Sequence, residues 1–368
     1  MNRFRTNTLL VLLACFVLVF AGCSLFEGPE GPAGKDGTDG EDGTSGIDGT
    51  DGADGHVTCL VCHSDENLAQ KQHEFAASQH SSGDIAVGYA GGRSYCYPCH
   101  SHEQFVAYSN GFAPHNISNP SAWKCSTCHS LHTTFEYEDY ALRLTEAASI
   151  WDGGTFLLKG ESMFNIEGNS NLCANCHQSR RAEPALTGSG DTFEITSPHY
   201  GPHHGAQTNV LVGLGMAEIE GSTAYPDAYS AAHAEVACVG CHMNEGDHSF
   251  DPSVESCVSC HAGASDFDIG GLQTEIEALL EDLKVKLEAK GVIHEEIEEV
   301  FELDPETGDI VQVALSDGYH PVIGTHDMVL VRAFFNWVGL LEDRSFGVHN
   351  PAYVKALLEN TIAAVDAL

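Results

Sequence analysis

The stretch CANCHQSRR, residues 173–181, places two cysteines three positions apart with a histidine directly behind the second. A CxxC pair can bind zinc, close a redox disulfide or anchor a haem, so the number and company of such pairs must decide. The chain holds five more of them. They are CLVCH (Cys59, Cys62, His63), CYPCH (Cys96, Cys99, His100), CSTCH (Cys125, Cys128, His129), CVGCH (Cys238, Cys241, His242) and CVSCH (Cys257, Cys260, His261), beside the opening Cys173, Cys176 and His177. A zinc ribbon uses two pairs per metal and no histidine at that place, and disulfides would not need one. Of the 14 cysteines, 12 fall in these pairs, and only Cys15 and Cys23 are left over. The motif therefore reads as c-type haem attachment, six times over. Two thiols on one turn of backbone reach the two vinyl groups of one porphyrin, and the adjacent imidazole meets the iron from the same face.

Each iron has a second axial position. Fifteen of the 21 histidines lie outside the motifs, against four methionines beyond Met1. A second histidine is thus the expected ligand, which gives a lower potential than Met/His ligation. The candidates are His80 in ASQHSSG, His132 in CHSLH, His204 in GPHHGAQ, His233 ahead of CVGCH, His248 in GDHSF and His349 in GVHNP. His203 is the alternative to His204, and His73, His102, His115, His199, His320 and His326 are held in reserve.

Successive motifs start 37, 29, 48, 65 and 19 residues apart. Porphyrin would fill much of the interior, so residues 56–270 are expected to be mainly α with long loops and short helices at the motifs. Residues 271–368 differ. LQTEIEALLEDLKVKLEAK aligns Leu272, Ile276, Leu279, Leu283 and Leu287 on one stripe and ends at Gly291, the pattern of an amphipathic helix. FELDPETGDIVQVAL predicts a small hairpin turning at PETGD. HDMVLVRAFFNWVGLLED and PAYVKALLENTIAAVDAL predict two more helices, the second with Pro351 in its first turn. This C-terminal helical segment is expected to pack on the haem region.

Residues 1–22 combine Arg3 and Arg5 with an apolar run and small residues before Cys23, as in a secretory signal. Over 28–55 glycine falls at every third position, the collagen period. Two prolines and many aspartates within it leave two readings open, a homotrimeric stalk or a single extended acidic tether. The chain has 53 acidic against 16 basic residues, a net charge of −37. That excludes a basic nucleic-acid footprint and argues against electrostatic docking on anionic lipid. Haem propionates would add further carboxylates, so Arg93, Lys124, Arg143, Arg180 and Arg181 are expected to face them. Serine-triad and phosphate-loop signatures do not occur.

FAGC, residues 20–23, resembles a bacterial lipoprotein signal, which implies acylation of Cys23 as a new N-terminus at 23–27. Ser24 then implies the outer membrane. The run of CxxCH motifs, with ASQHSSG, NLCANCHQSRR, GPHHGAQ and DRSFGVHNPAYVKALL, resembles exported multihaem c-type cytochromes of bacterial outer surfaces, over about 57–368. The C-terminal part is also similar to the superfamily that includes ammonia-forming nitrite reductase. The lysine-ligated CxxCK motif of those enzymes does not occur in this chain. The resemblance implies an electron carrier rather than an enzyme. It would hold six haem c groups and be lipid-anchored at the cell-surface face of the outer membrane. It would relay electrons between a periplasmic or porin-linked donor and an extracellular acceptor or another cytochrome. The alternative is a terminal reductase of a small nitrogen oxide or oxyanion at one open-coordinate haem.

Overall fold

The computed structural model describes residues 64–130, 142–150, 163–166, 168–188, 190–303 and 310–368. Cys23, the glycine repeat, the first motif (Cys59, Cys62, His63) and His132 lie outside them. The described residues are mainly helical. Short helices separated by long loops run through the haem region, and long helices follow it.

In the haem region the helices are α1 (Asp65–Ala77), α2 (Gln79–Ser82), α3 (Asp84–Ala90), α4 (His102–Ser109), α5 (Cys125–Cys128), α6 (Ser170–Ala174), α7 (Pro184–Thr187), α8 (Gln207–Val212), α9 (Ala232–His242) and α10 (Glu255–Val258). Caps start several of them. Ser64 Oγ accepts from Asn67 N, and Ser101 Oγ accepts from Gln104 N, satisfying amides that the first turn leaves unpaired. Gly213 ends α8 in the left-handed region at φ +71°, a conformation glycine adopts without a Cβ clash. The strands here are short: β1 (Ala148–Ser149) pairs antiparallel with β2 (Met163–Phe164).

The C-terminal part is built on α11 (Leu272–Ala289), α12 (Met328–Asp343) and α13 (Pro351–Asp366). In α11 the fully buried positions are Ile276, Leu280, Leu283 and Leu287. Leu280 replaces Leu279 in the expected stripe, because a 3.6-residue turn carries the buried face to 280. Leu272 and Leu279 pack at its edge. Gly291 lies just beyond the helix at φ +67°. These side chains meet Val331, Phe334, Phe335, Trp337, Leu340, Tyr353, Leu357 and Leu358 in one core. Each fully buried Leu or Phe contributes about 1.5–3 kcal/mol. Trp337 Nε1 donates to Leu280 O at 3.1 Å, so its polar edge is also satisfied.

The hairpin is longer than its sequence signal. β4 (Ile293–Leu303) and β5 (Ile310–Pro321) pair antiparallel from Ile293↔Pro321 to Leu303↔Ile310, with a bulge between Glu296 and Ile297. PETGD falls between the strands, outside the described residues. A second pairing has no counterpart in the sequence reading. β3 (Thr192–Ile195) lies antiparallel to β6 (Gly324–Asp327) and ties the haem region to the start of α12, where Asp327 Oδ1 caps Val329 N at 2.8 Å.

Three buried asparagines stitch the two parts. Asn336 accepts from Ala217 N at 2.8 Å and donates to Ala217 O at 2.8 Å and Thr361 Oγ1 at 2.9 Å. Asn350 donates to Leu211 O and caps Tyr353 N. Asn360 exchanges bonds with the Thr223 backbone. A buried amide survives only with such partners, so the segment 206–223 is held in one register against the bundle.

Candidate metal centres

A histidine nitrogen binds a first-row metal at about 2.0–2.1 Å, and the ring centre lies about 1.1 Å behind it, so two imidazoles on opposite sides of one iron have centres about 6.2 Å apart. All five proximal histidines among the described residues have a second histidine ring at about that centre-to-centre spacing. The pairs are His100–His203 at 5.9 Å, His129–His248 at 6.1 Å, His177–His80 at 6.0 Å, His242–His349 at 6.4 Å and His261–His233 at 6.2 Å. Beside each proximal ring stands its own pair of free cysteines.

Local structure explains how the motifs present these groups. The CxxC turn closes by an amide of the histidine returning to the first cysteine. His129 N bonds Cys125 O at 2.9 Å, His177 N bonds Cys173 O at 2.9 Å, and His261 N bonds Cys257 O at 2.8 Å. One helical turn therefore holds both thiols and the imidazole together. At CYPCH the close approach comes from glycine: a Cβ on Gly91 would lie 2.6 Å from His100 O and 2.8 Å from Pro120 Cβ.

The nitrogen chemistry fits a metal. His242 Nδ1 bonds Phe250 O at 2.8 Å, His248 Nδ1 bonds Gly246 O at 2.8 Å, and His233 Nδ1 bonds Val348 O at 2.5 Å. His349 Nδ1 bonds the buried carboxylate of Asp343 at 2.7 Å. Carbonyls and carboxylates only accept, so Nδ1 carries the proton and Nε2 keeps its lone pair. At the Cys99 site, His100 Nδ1 and His203 Nε2 are buried with no hydrogen-bond partner. Burial pushes His80 down to about 4 and His203 down to about 3, so both are neutral donors at ordinary pH. Burial opposes the charged form of His349 too, but Asp343 outweighs it and raises its pKa. Burial also pushes the Cys128 thiol up to about 12.

Among the described residues no group of three or more His, Cys, Asp or Glu is arranged to hold a bare metal ion. Two opposed imidazoles need a metal whose four equatorial ligands come from elsewhere. A porphyrin would supply those four, and the paired cysteines would be placed to anchor it.

The expected residues fall into place unequally. His80, His233, His248 and His349 each face a proximal ring. His204 does not. Its Nδ1 lies 2.9 Å from Glu342 Oε1 and its side chain is 73% exposed, while His203, turned by a left-handed φ of +71°, faces His100. The two rings lie 4.9 Å apart, and it is His203, at the left-handed backbone position, whose ring lies at the haem spacing from His100. Among the reserves, His102 bonds Thr127 Oγ1 at 2.7 Å, His115 bonds Ala113 O, His326 bonds Val322 O, and His73 is exposed. His199 and His320 face each other at 6.2 Å with no cysteine pair beside them.

The basic residues sit near the motifs. The guanidinium of Arg180 bonds Tyr95 O, and Arg93 stacks on Tyr89 and Tyr95 ahead of Cys96. Arg143 N and Nε bond Cys128 O and Ser126 O. Lys124 lies 3.9 Å from Glu103. Arg181 instead stacks on Tyr200 at 5.8 Å.

The cysteine pairs and histidine rings lie near one another in each described motif, and the chain is similar to c-type polyheme cytochromes. It is 27% identical over 231 residues, 52% of its length, to the C-type polyheme cytochrome OmcB of Geobacter sulfurreducens, in strains DL-1/KN400 and PCA. It spans 30% of those relatives' own length. The crystal structure of the outer cell wall cytochrome OcwA superposes with a TM-score of 0.44 and 18% identity, covering 80% of this chain and 50% of that one. No protein-family model matches the chain. Among the described residues, no helix is long and apolar enough to cross a membrane.

Proposed function

We propose that this chain binds six haem c groups, each axially held by two histidines, and carries electrons among them. The observation that carries this reading is the facing of every described proximal histidine by one other at the spacing of an iron sandwich. The cysteines 59, 62, 96, 99, 125, 128, 173, 176, 238, 241, 257 and 260 are the proposed anchors. The distal ligands are His203, His248, His80, His349 and His233 for the second to sixth motifs, and His132 remains a sequence candidate for a distal position. Bound haem supplies a one-electron couple at iron. At His233, His242, His248 and His349 a carbonyl or carboxylate holds Nδ1 protonated and orients the ring, which tunes the potential of those sites.

The sequence of residues 1–55 supports acylation at Cys23 and a tether that holds the cytochrome off the outer membrane, as one chain or as a trimer. The donor would be a periplasmic or porin-linked redox protein, and the acceptor an extracellular oxidant or a second cytochrome. The test is low-temperature EPR of the oxidised protein, quantified against haem measured as its pyridine complex. Six low-spin irons per chain are expected. A high-spin iron would mean an open position, and nitrite turnover there would replace the carrier reading with a reductase.

A further inference from the structure

The motifs are in contact, and their contacts are not those of a simple line. The fourth motif meets the second: Cys99 Sγ lies 3.8 Å from Asn175 O, and Tyr108, on the helix after CYPCH, bonds Asn175 Oδ1 at 3.4 Å. It meets the fifth: Ser170 Oγ, in α6, accepts from Val239 N at 3.1 Å, and the Cys173 and Cys238 side chains are hydrogen-bonding partners. It meets the third through Phe250. That ring lies 5.0 Å from His80 and 6.0 Å from His248. The fifth motif in turn meets the sixth, where Ser256 Oγ donates to Cys241 O at 3.3 Å. Conversion of the thiols to thioethers removes the sulfur hydrogen bonds and leaves the proximity.

Resting on the haem reading above, we infer that the fourth motif is the branching point of the array, in contact with the second, third and fifth, with Phe250 as the residue that positions this junction. Phe250 touches three sites at once. Its ring packs on the distal imidazoles of the third and fourth sites, and its carbonyl accepts from His242 Nδ1 of the fifth at 2.8 Å. Its backbone has φ +62°, a region that bulky side chains seldom occupy and that signals over-determination by the surroundings. The second and third motifs also meet directly, where His102 Nδ1 bonds Thr127 Oγ1 at 2.7 Å, so the site formed by Cys173, Cys176, His177 and His80 adjoins the second, third and fifth without being their sole link, and the sixth lies one step further out.

The test is potentiometric EPR on the intact haem-loaded protein. Each signal is first assigned from His203→Ala, His248→Ala, His349→Ala and His233→Ala, which turn one low-spin signal at a time high-spin. His80→Met then raises the potential of the fourth site alone. Once that site is reduced early, its changed charge acts on whatever adjoins it. The titrations of the second, third and fifth sites are expected to move to lower potential, with the sixth unmoved. Movement of one neighbour only, or an equal movement of the sixth, overturns the branch. If the variant fails to fold, the unmodified protein answers. Reduction of the fourth iron makes it diamagnetic, and relaxation of three other signals should slow together; slowing of one or two overturns the inference. Phe250→Leu, which keeps the carbonyl, should alter the g-values of the third and fourth sites and spare the fifth. Equal change at all three makes Phe250 a general packing residue and removes its positioning role. Absence of low-spin signals in the unmodified protein would instead refute the haem reading itself.

Discussion

His203 has a left-handed backbone and His204 does not, and their side chains go to different partners. The left-handed backbone at His203 sends its ring into the interior opposite His100, and His204 is left to pair with Glu342. His203→Ala should convert one iron of six to high spin by EPR, and His204→Ala should leave all six low-spin. The His204–Glu342 pair has its own pH signature. The Glu342 hydrogen bond raises His204 above its ordinary 6.5, and the His204 hydrogen bond lowers Glu342 below 4.5. The histidine contribution is complete below pH 6.5 and fades as pH rises through its raised value. The carboxylate contribution is complete above pH 4.5 and fades as pH falls through its lowered value. Glu342→Gln should therefore lower thermal stability most between pH 4.5 and 6.5, by about 0.5 kcal/mol for so exposed a pair. A deficit that is flat from pH 4 to pH 9 would contradict this. CxxCH carries a local reading because covalent attachment of a porphyrin at two thiols would require that spacing. The choice within GPHHGAQ was not legible, because a histidine doublet carries no mark of which backbone will twist.

At the scale of elements, local periodicity announced α11, α12 and α13 almost to their ends, since a stripe of leucines, an Asp327 cap and Pro351 at the first turn are local signals. Leu280 was misassigned in favour of Leu279 because both lie within a turn of the true face. The pairing of TFEI with GTHD was illegible because its two strands are more than a hundred residues apart and neither alternates strongly. The buried asparagines belong with these long-range features. Asn336→Ala would leave Ala217 N and O without partners in the interior, and should cost about 2–4 kcal/mol by chemical denaturation. Leu280→Ala should cost about as much through its cavity. A loss below 0.5 kcal/mol in either would mean that the helices do not rest on the haem region as described.

For the whole molecule, charge is the dominant long-range term. The whole sequence carries a net −37, and haem propionates would add to it. Self-repulsion of this kind is screened over about 10 Å at 0.1 M salt. The melting temperature should therefore rise between 10 mM and 500 mM sodium chloride, and scanning calorimetry at the two concentrations would detect it. An unchanged or falling value would mean that compensating ion pairs outweigh the repulsion.

The imidazole pairs also define how the backbone is closed upon itself. With iron between the rings, His80 would be joined to His177, His100 to His203, His129 to His248, His233 to His261 and His242 to His349. Four of these loops are roughly a hundred residues long, and each overlaps the next like links of mail. A crosslink closing a loop of that size removes about 4–5 kcal/mol of unfolded-state freedom in the chain-entropy view. With the links closed, every peptide bond from His80 to His349 lies inside at least one loop. A protease that nicks the exposed surface at Asp191 would then cut the polypeptide in two, and both pieces would still travel as one particle.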